Sequence, residues 1–185
     1  MALTYSNMLS LNSNAPEFKL LDTISGKEKS LKNLKGINGT VIAFICNHCP
    51  YVIHVNPTLV KISNNYRSKG INFIAISSND IEQYPEDGPE KMKINADLNN
   101  FKFPYLFDKD QNVAKIYDAA CTPDIYLFNK SLKLIYRGQI DSSRPANGIE
   151  VTGEDLTNAI DCLLNNTKNS RIQKPSMGCN IKWKN

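Results

Sequence analysis

The ten residues Val41-Ile42-Ala43-Phe44-Ile45-Cys46-Asn47-His48-Cys49-Pro50 constrain this chain more than any others. Thr40 to Ile45 is an unbroken β-branched and apolar run, the pattern of a central strand buried on both faces. It leads straight into two cysteines spaced C-x-x-C, and a helix is expected to open at Pro50. Two thiols at the mouth of a helix can pass between dithiol and disulfide with little backbone movement. The unpaired N–H groups and positive dipole end of that helix favour the attacking thiolate. Redox chemistry is the first expectation.

At 185 residues the chain is long enough for one domain with a full core, without disulfide stapling. Hydrophobic residues at 41% and charged residues at 22% describe a soluble globular protein. No apolar run approaches the roughly 20 residues of a membrane span, so no membrane partner is expected. Met1 to Ser10 has neither a basic start nor a continuous apolar stretch, so a cytoplasmic protein is expected. The net charge of +4 is mild. The basic stretch from Lys168 to Lys184 accompanies no nucleic-acid motif and reads as solvated surface.

The five cysteines, Cys46, Cys49, Cys121, Cys162 and Cys179, are too unevenly spaced for a disulfide scaffold. In a cytosolic protein a C-x-x-C pair is either metal-binding or redox-active. Tetrahedral zinc would want a second closely spaced ligand pair, and none exists. Neither a metal nor another cofactor is expected. A Cys46/Cys49/His site completed by Cys121 or Cys179 stays open as the metal alternative.

Along the chain, Phe18 to Asp22 reads as a strand turned at Ser25-Gly26, and Ser30 caps a short helical turn through Leu34. A helix from Pro50 to Arg67 carries Val52, Val55, Leu59, Val60, Ile62 and Tyr66 on one side, with Pro57 inside it and Gly70 after it. Ile71 to Ser77 is a second buried strand. A polar loop from Ser78, with a helix over Glu90–Asn99, precedes Leu106 to Asp110 and a helix over Asn112–Asp118. Ile125 to Phe128 and Leu132 to Arg137 form a hairpin. Thr152-Gly-Glu-Asp155 has capping-box spacing and opens a final helix ending near Asn165, with Cys162 in its core face. The rest is an irregular tail, although Trp183 argues that it docks on the body. Three parts follow: an extension (1–14), a domain (15–165) and a tail (166–185). Strands alternating with helices imply a sheet between helices, parallel first and closed by an antiparallel hairpin edge.

This order, with C-x-x-C after the first central strand and Thr122-Pro123 before the hairpin, resembles the thioredoxin fold. Ala15-Pro16-Glu17-Phe18 with Gly26 and Leu31-Lys-Asn-Leu34-Lys-Gly36 resembles the opening of its redoxin branch, the peroxiredoxin-like AhpC/TSA type. Cys46-Asn-His-Cys-Pro50 with Cys121-Thr-Pro-Asp124 also resembles an uncharacterised redoxin group. The resemblance covers about Ala15 to Leu164. It implies an α/β, thioredoxin-like fold with a central mixed β-sheet flanked by helices and an extended C-terminal tail. It also implies a cis Pro123 opposite the active cysteine, where Thr122 and Pro123 offer a backbone edge to substrate.

Aligning Phe44 with the Phe that precedes the thioredoxin motif places Cys49, not Cys46, at the nucleophile. Thioredoxins carry a helix proline eight residues after that nucleophile, and Pro57 lies eight after Cys49. Cys46 is then the resolving partner. His48 stands where the family has Trp, and as a cation it would lower the thiol pKa. Cys121 is either a second resolving thiol or a small buried side chain. His54 reads as packing or surface.

The expected activity is thiol–disulfide exchange: Cys49 attacks a disulfide and Cys46 resolves the mixed disulfide. Its partner would be a thiol or disulfide substrate protein or a small thiol, with thioredoxin or glutathione as electron donor. The first alternative is a thiol peroxidase with Cys49 as peroxidatic thiol and a peroxide as substrate. Peroxiredoxins arrange P-x-x-x-T-x-x-C with an activating Arg. Here Ile42 and Cys46 hold the Pro and Thr positions, and no Arg occurs between Arg67 and Arg137. The second alternative is a non-enzymatic redox sensor or a Cys/His metal-binding module.

Overall fold

The computed structural model describes residues 3–184. In chain order, β1 (Leu3–Tyr5), β2 (Lys19–Asp22) and β3 (Lys27–Ser30) precede a one-turn helix, α1 (Leu31–Leu34). Gly26, at φ +68°, makes the turn between β2 and β3, a conformation that costs glycine nothing. The Ser30 side chain accepts from the Asn33 N–H and caps α1 as expected. Then follow β4 (Gly39–Phe44), α2 (Pro50–Arg67) and β5 (Ile71–Ser77). A 3-10 turn (Pro85–Asp87) leads to α3 (Pro89–Leu98), β6 (Tyr105–Phe107) and α4 (Asn112–Ile116). The chain ends with β7 (Cys121–Thr122), β8 (Asp124–Asn129), β9 (Leu134–Gly138), α5 (Glu154–Leu164) and β10 (Met177–Asn180).

Seven strands form the main sheet in the order β3-β2-β6-β5-β4-β8-β9. β4 runs parallel to β5, and β5 parallel to β6. β8 is antiparallel to β4 and to β9, so the hairpin closes one edge as the sequence indicates. All six residues of β4 are buried, the mark of a strand covered on both faces. Side chains alternate across it. Val41 and Ala43, with Ile45 just beyond, pack with Val52, Val55 and Leu59 of α2, Met92 of α3 and Ile160 of α5. Ile42 and Phe44 point the other way, to Val113 and Ala114 of α4. Burying each such aliphatic side chain contributes about 1.5–3 kcal/mol, which pins the end of β4 and hence the cysteines beyond it. No helix among the described residues is long and apolar enough to cross a membrane.

Four local expectations give way. The tail is extended but not irregular. Met177–Asn180 forms β10, antiparallel to β1 on one side and to β7 on the other, so both chain ends join one three-stranded sheet. Tyr105–Phe107 is a strand, where the sequence indicates only a lead-in to α4. Cys162 is half-buried on α5, with Sγ 3.9 Å from the Lys168 carbonyl, and not part of the core. The capping box at Thr152 does not form, because Gly153, at φ +71°, takes the N-cap position. The Asp155 carboxylate instead accepts from Gln139 Nε2 at 2.7 Å.

A residue distant in sequence replaces that box. The buried Asp141 carboxylate accepts from the N–H groups of Ser143, Thr152 and Gly153 at 2.8, 2.8 and 2.6 Å. The Ile140 carbonyl accepts from the first-turn N–H groups of Asp155 and Leu156. D141A should therefore lower unfolding stability by about 1–3 kcal/mol by orphaning buried donors. T152A, which removes one long bond from the exposed Glu154 N–H at 3.3 Å, should cost far less. Urea denaturation of both variants checks the ranking.

Candidate active site

β4 delivers the chain to the site and β5 holds it there: the Ile45 N–H donates to the Ile76 carbonyl at 2.9 Å, fixing the strand exit. Asn47 and His48 make a bend, and Cys49 is the N-cap of α2, with extended φ/ψ of −71° and 121° and Pro50 next. The Cys49 sulfur thus sits at the positive end of an 18-residue helix.

The opposite wall is the segment before β8. The Thr122–Pro123 peptide bond is cis. As a thiol, Cys49 donates to the Thr122 carbonyl at 3.2 Å, and Cys46 Sγ lies 3.5 Å from Thr122 Oγ1. Cys46, Cys49, Cys121 and Cys179 are all buried, with Cys49 fully enclosed. All five cysteines are reduced thiols. β10 is paired so that Cys179 faces Thr122 and Asn180 faces Cys121. Its thiol and backbone both hydrogen-bond to the Cys49 sulfur.

These neighbours give the two C-x-x-C thiols opposite characters. The Cys46 thiol is the strongest donor to the Cys49 thiolate. Against the opposing effect of burial, and with help from Thr122 and Cys179, it holds Cys49 down to about 4. Cys46 is pushed well up by that same bond, by burial and by the charge of Asp87. Burial first, then the bond to Cys49, pushes the Cys179 thiol up to about 12. Cys121 is raised by burial and by the charge of Asp124, and its sulfur lies 3.6 Å from the Pro123 carbonyl. One thiolate, at Cys49, is therefore ringed by protonated thiols.

His48 is held by the loop that precedes α3. Its ring stacks on Tyr84 with centroids 5.5 Å apart, and Nδ1 lies 2.8 Å from Oδ2 of the buried Asp87. The chief groups that lower Cys49 are Cys46, Thr122 and Cys179. Asp87 also accepts from the Asn47 N–H at 2.8 Å and from Asn79 Nδ2 at 2.7 Å, while the Tyr105 hydroxyl donates to Asn47 Oδ1 at 3.1 Å. Together they clamp the C-x-x-C bend. His54 Nε2 lies 2.7 Å from Ser143 Oγ, in the loop that the Asp141 carboxylate organises.

Among the described residues, the cluster able to approach a metal is Cys46, His48 and Asp87, whose ligand atoms lie within 4.8 Å of one another. Three ligands are one short of a closed structural zinc site, and both Asp87 oxygens already accept N–H donors. The sequence-derived set of Cys46, Cys49 and a His completed by Cys121 or Cys179 does not assemble as such.

Residues 11–137 match the AhpC/TSA family. The chain belongs to that family. It is similar to an uncharacterized conserved protein from Geobacillus kaustophilus, at 54% identity and a TM-score of 0.97, covering 100% of this chain and 97% of that one. The thioredoxin domain of a thiol-disulfide oxidoreductase from Bacteroides vulgatus is 22% identical with a TM-score of 0.67, over 85% of this chain and 100% of that domain. The fold is thus thioredoxin-like. The thiol-disulfide oxidoreductase ResA of Halalkalibacterium halodurans is 25% identical over 116 residues. That match spans 63% of this chain and 61% of the relative's length.

In this AhpC/TSA member, sequence reasoning missed Asp87, Asn79, Tyr84 and Tyr105, and left the place of Cys179 open. Tyr84-Pro-Glu-Asp-Gly-Pro89 carries a turn signal, but nothing in it says that the turn folds onto His48. The depressed Cys49 thiol has a measurable consequence. Its folded-state value lies below the 9.0 of an ordinary thiol, so the thiolate stabilises the fold above pH 9, and that contribution is lost as pH falls through about 4. Thiolate ultraviolet absorbance of the reduced protein should titrate near pH 4 and vanish in C49S. C46A, lacking the strongest donor, should shift the midpoint upward; an unmoved midpoint would mean that Cys46 is not that donor.

Proposed function

We propose that this protein is a thiol–disulfide oxidoreductase in which Cys49 is the nucleophile and Cys46 the resolving thiol. The observation that carries this reading is the hydrogen-bonded Cys46–Cys49 pair at the start of α2, lowered at one sulfur and raised at the other. The Cys49 thiolate attacks one sulfur of a substrate disulfide, and the other leaves as a thiolate that takes a proton. Cys46 then gives up its proton and attacks Cys49 Sγ, so the second substrate thiol departs and a Cys46–Cys49 disulfide remains. The bond to Cys49, burial and then the charge of Asp87 keep Cys46 protonated until that step. Thr122 and the cis Pro123 line the nucleophile and bind the substrate backbone. The name carried by the ResA relative supports the same chemistry. The substrate is a protein or small-molecule disulfide, and thioredoxin or glutathione returns the electrons.

A peroxidase ranks second for a specific reason. Arg137, the first arginine after Arg67, is fully buried, and its Nη2 donates to the Asp118 carbonyl at 2.6 Å and to Asp124 Oδ2 at 3.1 Å. Its bonds go to Asp118 and Asp124, and no cation is among the chief influences on the Cys49 sulfur. Stopped-flow oxidation of the reduced protein should run faster with glutathione disulfide than with hydrogen peroxide. C49S should be inert to both at low concentration. A Cys49 sulfenic acid that forms faster than disulfide exchange would reverse the two readings.

A further inference from the structure

β10 lies where an extended substrate would lie in the reading above. It pairs antiparallel with β7 at Cys121–Thr122, the edge immediately before cis Pro123. Edge pairing of this kind is how a thioredoxin-like site would hold a peptide, with backbone hydrogen bonds giving affinity and alternate side chains giving specificity. Cys179 sits in register opposite Thr122, whose carbonyl is the partner of Cys49, and hydrogen-bonds to Cys49 through both thiol and backbone. Gly178 makes the approach feasible. A Cβ at this position would meet the Thr122 carbonyl oxygen at 2.0 Å and Pro123 Cδ at 3.3 Å. Met-Gly-Cys therefore combines a residue that lets the strand press onto the cis-proline segment with a thiol delivered to the nucleophile.

We propose that Cys179 is a third reacting thiol and that the C-terminal strand is a built-in substrate for Cys49. This rests on Cys49 being a disulfide-exchanging nucleophile. In the step added here, Cys49 carries a mixed disulfide with an external small thiol, formed from a small-molecule disulfide. Cys179 gives up its proton to solvent and attacks Cys49 Sγ. The bond from Cys49 to the external sulfur breaks, the external group leaves as a thiolate and is protonated, and a Cys49–Cys179 disulfide forms. Two protein thiols are oxidised and one external disulfide is reduced to two thiols. Cys46 can then exchange onto Cys49 and return Cys179 to the thiol, so the three cysteines form a relay, not a pair. An extended polypeptide substrate has to displace β10 from the edge, whereas a small disulfide needs only transient access to Cys49.

The test uses the full chain with Cys46 removed as a competitor. Reduced C46S and C46S/C179S are treated with glutathione disulfide, remaining thiols are alkylated, and the products are mapped by peptide mass spectrometry. C46S should release two glutathione thiols per chain and end as a Cys49–Cys179 disulfide. C46S/C179S should release one and keep glutathione on Cys49. Persistence of the Cys49–glutathione adduct in C46S with Cys179 alkylated, or a bridge to Cys121 in its place, would overturn the role of Cys179 alone. No glutathione release, and neither an adduct nor a disulfide at Cys49 in either variant or in the wild type, would overturn the oxidoreductase reading, and this inference with it. G178V in the C46S background should slow closure of the Cys49–Cys179 bond without slowing adduct formation. Equal closure rates would show that the docked strand does not deliver the thiol.

Discussion

Thr122 is the residue on which the site converges. Its carbonyl accepts from Cys49, its hydroxyl lies beside Cys46, and its backbone edge receives Cys179. Three stretches that are 46, 122 and 179 residues into the chain meet there only because β4, β8 and β10 arrive at the same end of the molecule. β4 and β8 are fixed by their antiparallel ladder and by apolar layers on both faces. The thiol chemistry therefore rests on core packing several residues away.

The chief partners that lower the Cys49 thiol are the Cys46 and Cys179 thiols and the Thr122 hydroxyl, and the sulfur also sits at the N-terminal end of α2. Low dielectric strengthens such bonds and also penalises any charge left unpaired, so the arrangement holds only while all donors stay in place. The negative charge of Asp87 does the opposite at Cys46. One buried carboxylate thereby contacts the His48 ring, holds the Asn47 backbone and adds to the Cys49 bond and burial that raise the second thiol.

The strand–C-x-x-C–helix unit was readable because each of its signals is local. An unbroken apolar run, a proline at the first helical position and apolar residues on one helix face need no tertiary partner to be recognised. Pro50–Arg67 appears with the expected bounds, and the position of Pro57 points to the cysteine that occupies the N-cap. What escaped depends on long-range partners. Met177–Asn180 holds glycine and asparagine, both poor strand formers, and becomes a strand only by lying between two edges. The T-x-x-D pattern at Thr152 fits a capping box, yet Asp141 takes the Thr152 N–H from 11 residues upstream and the Ile140 carbonyl takes that of Asp155. The Asp87 contact to His48 spans a loop whose sequence records only a turn.

The sheet formed by β1, β10 and β7 ties both ends of the chain to the cis-proline segment. Leu3 is in register with Cys179, so the first described strand braces the one that carries the third thiol. The first and last described strands are mechanically part of the cysteine cluster. A fusion or affinity tag at either end would load the strand that covers Cys49, and the thiol reactivity of a tagged protein would then report the tag as well as the site.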